Sequence, residues 1–316
     1  PYDLRGKYDK AIEVSEQLIL ATDSSHSPWH LIEAEDRRYR DISAGELILK
    51  AMLAREAKPE PDEDTRTSVD IDVLGPQPTV LDSVDLSLEL SGDEYKEQLA
   101  KYQSRLQDLA WDAYRQNRSV VAVFEGWDAA GKGSAIRRVT RAIDPRLYRL
   151  IQFAAPTDEE NAHHYLWRFW RQLQRDGRCT FFDRSWYGRV LVERVEQFAT
   201  EREWQRAYSE INQFEQQLVE HGSIVLKFWI HIDNEEQMRR FKAREKEPHK
   251  RHKITEDDWR NRERWHDYEI AVDQMVSHTS TRSAPWTLVS GNDKPYARIQ
   301  ILKTFCKNMK TALSSA

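Results

Sequence analysis

Hydrophobic and polar positions alternate in a regular way along the chain from residue 119 onward. Residues 119–125 form a short apolar run, the pattern of a strand that is buried on both faces. Comparable runs occur at residues 148–153, 179–182, 224–230 and 286–289, and longer stretches with helical periodicity separate them. This alternation predicts an α/β fold in which helices cover both faces of a parallel sheet.

The helical stretches are predicted from the spacing of their apolar residues. Residues 95–118 and 131–143 lie on either side of the first strand. Residues 157–175 carry an apolar stripe behind a capping-box pair, Thr157 and Glu160, and are predicted to form one helix. Further helices are predicted up to residue 220, in the charged region after residue 230 and after the last strand.

A repeat links the two ends of the chain. Pro28-Trp29 recurs as Pro285-Trp286, and Asp36 recurs as Asp293, each 257 positions later. Helical patterns flank both copies, and a match at constant offset is the mark of a duplication. Residues 1–56 are therefore predicted to be the C-terminal part of a first domain, a helix–strand–helix, and residues 92–316 the complete second domain.

Charge is distributed unevenly along the chain. Residues 57–91 are rich in Pro, Asp and Ser and are predicted to be a linker. Residues 58–95 hold 11 acidic and 2 basic residues, a balance of −9. Residues 238–253 hold 8 basic and 2 acidic residues, and the resulting balance of +6 would attract anions.

The composition excludes several classes of protein. Of the 316 residues 39% are hydrophobic and 32% charged, and no apolar run approaches the roughly 20 residues of a membrane span. No secretory signal is recognisable in the first ten residues, so no membrane partner is expected. Two cysteines, Cys179 and Cys306, favour a reducing cytoplasm over a disulfide scaffold. The net charge of −5 gives no reason to expect nucleic acid.

Residues 126–132 read Gly-Trp-Asp-Ala-Ala-Gly-Lys, which is the spacing of a Walker A phosphate loop between a predicted strand and a predicted helix. Glycines let backbone N–H groups surround a phosphate, and the helix N-terminus adds the positive end of its dipole. Lys132 supplies a mobile charge for a transferred phosphoryl group. The predicted phosphate-binding positions of the loop are Gly126, Ala129, Ala130, Gly131, Gly133 and Ser134.

Gly133 stands where a Walker A motif usually has a Ser or Thr that binds magnesium. Carboxylates must then hold the metal, and two are suitably placed. Asp128 lies inside the loop, and Asp183 ends a buried-strand pattern, as Walker B aspartates do. Mg²⁺ prefers one or two carboxylates together with phosphate oxygens, so both residues are predicted magnesium ligands.

Several arginines are candidate phosphate ligands, because the guanidinium fork suits phosphate oxygens. Arg184 and Arg189 follow Asp183, and Arg137 lies on the helix behind the phosphate loop. The basic run at residues 239–253 is similar to the lid of a phosphate-loop kinase, a helical segment that closes over charged substrates.

Four motifs together resemble polyphosphate kinase family 2. They are residues 124–134, 182–189, 236–241 and 284–286, the last accompanied by Asp293-Lys294. The motifs follow the family's order and cover about residue 80 to the end. The resemblance implies a P-loop kinase-like α/β fold with a helical lid, a polyphosphate donor, a nucleoside phosphate acceptor and Mg²⁺.

The resemblance also implies roles for individual residues. Asp128, Lys132 and Asp183 would be catalytic, and the family's own glycine matches Gly133. Two arginines of the motif at residues 182–189 and two arginines of the lid would bind phosphate, namely Arg184, Arg189, Arg240 and Arg244.

The repeat at residues 8–56 is similar to the end of a preceding family domain. That implies the two-domain subgroup, which resembles polyphosphate:AMP phosphotransferases, with polyphosphate and AMP converted to ADP. The alternatives are transfer from polyphosphate to a nucleoside diphosphate, an ATP-dependent nucleotide kinase, a non-catalytic nucleotide-binding module, and a basic polyphosphate or nucleic-acid binder. The sequence leaves open whether the protein forms a homo-oligomer.

Overall fold

The computed structural model describes residues 7–25, 27–56, 79–247 and 254–314. Two compact units make up the chain, Pro1–Gly75 and Pro76–Ala316. Within the described ranges, none of the helices combines the length and the apolar character needed to cross a membrane.

The second unit is built on a sheet of five parallel strands, in the order β2-β3-β1-β4-β5. The strands are β1 Val120–Gly126, β2 Tyr148–Gln152, β3 Cys179–Asp183, β4 Ile224–His231 and β5 Trp286–Ser290. All five agree with the apolar runs of the sequence to within one or two residues. The central strands β1 and β4 are buried along almost their whole length, which explains their unbroken apolar character.

Helices cover the sheet on both faces. One group contains the long helices that pack together on one face, α3 Gly92–Arg115, α4 Lys132–Thr140 and α12 Lys294–Ser314. The other group contains α7 Val192–Val195, α8 Glu201–Glu220 and α11 Trp265–Thr279. The α/β architecture predicted from the sequence is therefore confirmed.

Stacked aromatic rings join the sheet to the helix α12. Phe124 of β1 stacks on Phe228 of β4 with ring centroids 5.1 Å apart, and Phe305 of α12 stacks on Phe228 at 5.4 Å. All three rings are fully buried. Because burial of one such side chain is worth about 1.5–3 kcal/mol, this stack holds α12 firmly against the strands that carry the phosphate loop.

The prediction of one helix over residues 157–175 is wrong. The capping box of Thr157 and Glu160 is present, but it begins a single-turn helix, α5 Asp158–Asn161, and a second one follows at α6 Trp167–Trp170. Between them His164 Nδ1 accepts a hydrogen bond from the Leu166 N–H at 3.4 Å. A side chain that takes up a backbone donor in this way competes with the helical hydrogen bond.

The charged region after β4 is helical, as predicted. It contains α9 Asn234–Lys246 and α10 Glu256–Glu263. The basic residues at positions 248–253 of the predicted lid lie outside the described residues.

Residues 79–91, which we assigned to a linker, belong to the second unit. A 3₁₀ helix, Val80–Ser83, buries Leu81 in the core, and the Val80 N–H donates to Asp273 Oδ1 at 2.7 Å. Residues 57–78 of the predicted linker lie outside the described residues.

The first unit contains the helices α1 Tyr8–Thr22 and α2 Arg37–Glu56. The strand predicted between them is wrong, because residues 27–36 contain no strand. A strand needs a neighbour to accept and donate its hydrogen bonds, and the described part of the first unit contains no sheet.

Candidate active site

The phosphate loop runs from the end of β1 to the start of α4. Gly126 has φ +148°, and a Cβ there would lie 2.5 Å from the Ile230 carbonyl oxygen, so only glycine fits against β4. Gly131, with φ +111°, is the N-cap of α4. The free N–H groups of the first turn of α4 and the positive end of its dipole therefore meet at the loop, the arrangement that binds phosphate.

Lys132 lies over the start of this loop. Its ammonium donates to the Gly126 carbonyl at 2.5 Å and to the Trp127 carbonyl at 3.3 Å. Both acceptors are neutral, and Lys132 has no carboxylate within ion-pair distance among the described residues. The lysine is thus held at the loop while it keeps a charge that a phosphate can use.

Asp128 is held by residues from two distant helices. Asn261 Nδ2 of α10 donates to Asp128 Oδ2 at 3.0 Å, and Gln237 Nε2 of α9 donates to the Asp128 carbonyl at 3.2 Å. Arg184 Nη2 lies 3.7 Å from Asp128 Oδ1. Sequence reasoning missed Asn261 and Gln237, because nothing local in a sequence signals a contact made across more than a hundred residues.

Asp183 ends β3, the strand next to β1, and lies opposite Phe124 in the ladder. In the described part of the chain its half-buried carboxylate has no hydrogen-bond or ion-pair partner. The next residue, Arg184, has φ +67°, and its N–H donates to the Phe124 carbonyl at 3.3 Å. The turn after Asp183 is therefore tied to the strand that leads into the phosphate loop.

Glu125 is a second group that sequence reasoning missed, although a charge within an otherwise apolar strand was a signal. It is 5% exposed, and its Oε1 accepts from both the N–H and the Oγ of Ser185 at 2.8 Å. Burial raises the pKa of the Glu125 carboxyl, and the charge of Lys132 opposes that shift. Glu125 thus joins the phosphate loop to the Asp183 turn.

The donor set at this edge of the sheet fits Mg²⁺. Asp128 and Asp183 offer hard oxygen ligands at the carboxyl ends of adjacent strands, and the Asp183 carboxylate has no other partner there. Among the described residues no three His, Cys, Asp or Glu side chains gather closely enough to hold an ion by themselves. An ion held here would complete its shell with phosphate oxygens and water, as Mg²⁺ prefers.

A buried ionic network supports the segment after Asp183 from below. Lys227 of β4 donates to Glu215 Oε2 at 2.7 Å, to Tyr187 Oη at 3.0 Å and to the Thr279 carbonyl at 2.7 Å. Glu215 Oε1 in turn accepts from Tyr187 Oη at 2.7 Å and from Trp186 Nε1 at 3.0 Å. All three protons of the lysine are used, so the pair is buried without an unsatisfied charge.

Arg240 differs from its predicted role. It is 4% exposed, and all five of its N–H groups donate to protein oxygens. The acceptors are Glu236 Oε1 and the carbonyls of Ala129, Ala130, Gly291 and Asn292, at 2.5 to 3.0 Å. Phosphate binding by Arg240 is contradicted by this arrangement, in which no N–H remains for a phosphate; Arg240 instead holds the phosphate loop from behind.

The other predicted arginines have different surroundings. The Arg184 side chain is 59% exposed beside Asp128. Arg189 lies against Glu193, with Nε 3.1 Å from Oε2, and over the Tyr165 ring. Arg137 is exposed on α4, and Arg244 is half-buried on α9. Arg184 thus contacts the phosphate loop through Asp128.

Aromatic side chains form one wall of the site. Trp127 stacks on Trp265 with centroids 3.7 Å apart, and its Nε1 donates to His231 Nδ1 at 3.0 Å. Burial lowers the pKa of His231 to about 4, so the ring is neutral and can accept this hydrogen bond. A cavity of about 100 Å³ opens between the phosphate loop and the apolar side chains Leu191, Val192, Trp229 and Tyr268.

Comparison with known proteins shows which sequences this chain is similar to. The family model described as Polyphosphate kinase 2 matches residues 89–315. A polyphosphate:AMP phosphotransferase of Pseudomonas syringae pv. tomato is 50% identical over 307 residues, 97% of this chain and 62% of that protein. An ADP-polyphosphate phosphotransferase 3 of Rhizobium meliloti is 37% identical over 212 residues, 67% of this chain and 75% of that protein.

Solved structures give the same result. A crystal structure whose description names polyphosphate kinase 2 from Arthrobacter aurescens TC1 superposes with a TM-score of 0.71 at 33% identity, covering 75% of this chain and 87% of that one. The chain spans less than two thirds of the length of the Pseudomonas syringae relative.

Proposed function

This chain belongs to the polyphosphate kinase 2 family, and from that premise we propose that it is a magnesium-dependent phosphotransferase that converts inorganic polyphosphate and AMP to ADP. The observation that carries the proposal is the meeting of Lys132, Asp128 and Asp183 at the carboxyl edge of adjacent parallel strands. The relative that spans 97% of the chain is named for AMP, which favours AMP as the acceptor.

The reaction would be a direct transfer. An oxygen of the AMP phosphate attacks the terminal phosphorus of the polyphosphate, the bond to the next phosphate breaks, and ADP and a chain shorter by one phosphate result. The acceptor oxygen is already anionic, so no strong general base is required. Positioning and neutralisation of charge then account for the rate.

The chain's own residues divide this work. The N–H groups of the loop would surround the transferred phosphoryl group, and Lys132 would follow its charge. Asp128 and Asp183 would hold Mg²⁺, which neutralises phosphate oxygens when it is bound. Arg184 would contact phosphate oxygens from the exposed side, while Asn261 and Gln237 keep Asp128 in place. Arg189, Arg137 and Arg244 stay candidate phosphate ligands at a greater distance.

A second candidate is transfer from polyphosphate to ADP. It is favoured by the Rhizobium meliloti relative, which is named for ADP. The two candidates differ only in the acceptor, and the residues at the phosphate loop serve both equally well.

We also propose that residues 8–56 are the end of a first domain of the same family. Support comes from the helix bounds, because α1 and α11 begin and end 257 positions apart, at Tyr8–Thr22 and Trp265–Thr279. Support also comes from the longer relative, which the chain matches over nearly its own full length.

Initial rates with different donors test the proposed function. ADP and ATP release are measured with long-chain polyphosphate or ATP as donor, each with AMP or ADP as acceptor. We expect polyphosphate with AMP to be the fastest pair and ADP the first product. Faster transfer from ATP would contradict the proposal and favour an ordinary nucleotide kinase. Lys132→Met serves as the inactive control, because it keeps the length of the side chain without the charge.

A further inference from the structure

Two cations of α12 lie near the phosphate loop. Lys294 and Arg298 are one turn apart on this helix, so their side chains lie on the same face. Within the described residues neither forms an ion pair. Arg184 and Arg240 near the loop are paired, by contrast, with Asp128 and Glu236.

Arg298 is held only weakly in its place. Its Nη2 lies 3.4 Å from Ser134 Oγ and its Nη1 lies 3.4 Å from Tyr95 Oη, both long contacts to neutral groups. Its Nε is buried without a hydrogen-bond partner. A guanidinium with an unsatisfied N–H and no counter-ion is suited to an additional anionic acceptor.

The position of Arg298 relates it directly to the phosphate loop. Ser134, which it contacts, lies in the first turn of α4, and Ser134 Oγ donates back to the Gly131 carbonyl at 3.0 Å. Lys294 is partly exposed, and its ammonium interacts with the charges of Arg240, Arg244 and Arg298. Glu236 is the carboxylate that acts on it from α9. Positive charge is therefore in excess on this side of the loop.

We propose that Lys294 and Arg298, the α12 cation pair, form a binding subsite for phosphates of the polyphosphate chain beyond those held by the phosphate loop. The subsite rests on the proposed function for the identity of its ligand. A polyanion that continues past the loop would neutralise both cations and supply the missing acceptor to Arg298. AMP has only one phosphate and would gain nothing from the pair.

The ionisation of Lys294 supports this assignment. Partial burial among neighbouring side chains, and then the nearby charge of Arg240, lower the pKa of Lys294 to about 8, while Glu236 opposes the shift and Arg244 and Arg298 add to it. Polyphosphate affinity should therefore fall as the pH rises from 7 to 9, because Lys294 loses its charge in that range. The fall should be smaller in Lys294→Gln.

The test compares two double variants of the full chain. Lys294→Gln/Arg298→Gln removes the pair, and Lys307→Gln/Lys310→Gln removes the same charge from exposed sites at the far end of α12, about 20 Å along the helix. Dissociation constants for long-chain polyphosphate are measured by calorimetry at several salt concentrations, together with KM for AMP and the melting temperature. Arg298→Lys controls for lost packing.

We expect the pair variant to bind long-chain polyphosphate about tenfold more weakly, because two partly exposed charge contacts are lost. The dependence of affinity on salt should also decrease, because fewer counter-ions are released. KM for AMP and the properties of the control variant should change less than about twofold.

Polyphosphate affinity within twofold of the unchanged chain would overturn the subsite, and so would an equal loss in the control variant. A fall in melting temperature with unchanged affinity would give Arg298 a purely structural role. These outcomes are independent of the proposed function. If the unchanged chain binds polyphosphate through the pair but does not transfer phosphate to AMP, the subsite stands and the proposed function fails.

Discussion

The helices α1 and α2 of the first unit and the helices α11 and α12 of the second unit show the same local structure in two different settings. The bounds of α1 and α11 coincide at the offset of 257 residues, and α2 and α12 begin at equivalent positions, Arg37 and Lys294. Segments related by the repeat therefore form corresponding helices in both units.

The hydrogen bonds around the repeated motif also match. Trp29 Nε1 donates to Thr22 Oγ1 at 2.8 Å, and Trp286 Nε1 donates to Thr279 Oγ1 at 2.9 Å. The N-terminal caps correspond as well, since Asp36 and Asp293 each accept from the N–H three residues later, at 3.1 and 2.6 Å. A motif of this size carries its own hydrogen bonds wherever it occurs.

Burial is what differs between the two copies. Met309 of α12 is fully buried, whereas the equivalent Met52 of α2 is 65% exposed. Trp286 begins the strand β5, whereas Trp29 lies in a segment without a strand. Local sequence thus determines helices and caps, but a strand and a core require the rest of the sheet, and the proposed catalytic groups lie on the unit that has this sheet.

The largest effect should come from Asp183, which has no counterpart in the described part of the first unit. Asp183→Asn should lower kcat by about a thousandfold, several kcal/mol, because a ligand of Mg²⁺ is lost. Its melting temperature should not fall, since the carboxylate has no partner among the described residues. Asp36→Asn, in the first unit, is the control and should leave kcat unchanged. Near-normal turnover of a folded Asp183→Asn variant would rule the assignment out.

The buried ionic network tests the comparison between the two units, because Lys227 donates to the Thr279 carbonyl at the end of α11. Lys227→Met should lower the free energy of unfolding by about 3–5 kcal/mol, since Glu215 would be left buried and unpaired. The double variant Lys227→Met/Glu215→Leu should recover much of this loss, because no charge remains. Chemical denaturation measures both, and an equal loss in the single and double variants would contradict this explanation.

The methionine pair tests the difference in burial with identical substitutions. Met309→Ala should destabilise the protein by about 2–5 kcal/mol, because it leaves a cavity in the core. Met52→Ala should change the stability by less than about 0.5 kcal/mol, as exposed substitutions do. Equal effects in thermal or chemical unfolding would mean that Met52 is covered in solution.

Acid should destabilise the second unit by protonating His231. Its pKa falls from an ordinary 6.5 to about 4 in the folded protein, so the unfolded chain binds its proton more tightly. The contribution of neutral His231 to the free energy of unfolding is fully present above pH 6.5. It is lost as the pH falls towards 4, and the loss amounts to at most about 3 kcal/mol. His231→Gln should flatten this dependence in denaturation curves recorded between pH 7 and 4. An unchanged curve would assign the acid response to other groups.

The sequence predicts some parts of this molecule well for physical reasons. The strands β1, β3 and β4 are nearly continuous apolar runs because they are buried on both faces, and the phosphate loop is recognisable because its glycines are required by backbone geometry. Asp128, Lys132 and Asp183 are proposed as site residues from their position relative to those strands. Each of these signals is local.

Other parts depend on contacts between distant segments and were missed. Asn261 and Gln237 become neighbours of Asp128 only when α9 and α10 fold back over the loop. Arg240 looks like a phosphate ligand in a basic run, yet five oxygens surround it in the folded chain. The prediction of one helix at residues 157–175 failed because the spacing of apolar residues does not show that the His164 side chain takes up the Leu166 N–H.

The central claim is that the second unit alone carries the chemistry, and the direct test is the activity of residues 76–316. The rate of ADP formation from polyphosphate and AMP is measured for this fragment and for the full chain, with the cooperativity of melting as the check of folding. The account predicts a cooperatively folded fragment whose kcat agrees with that of the full chain within about twofold, since no residue of the first unit is assigned a role. A fragment that melts cooperatively but has lost its turnover would contradict it.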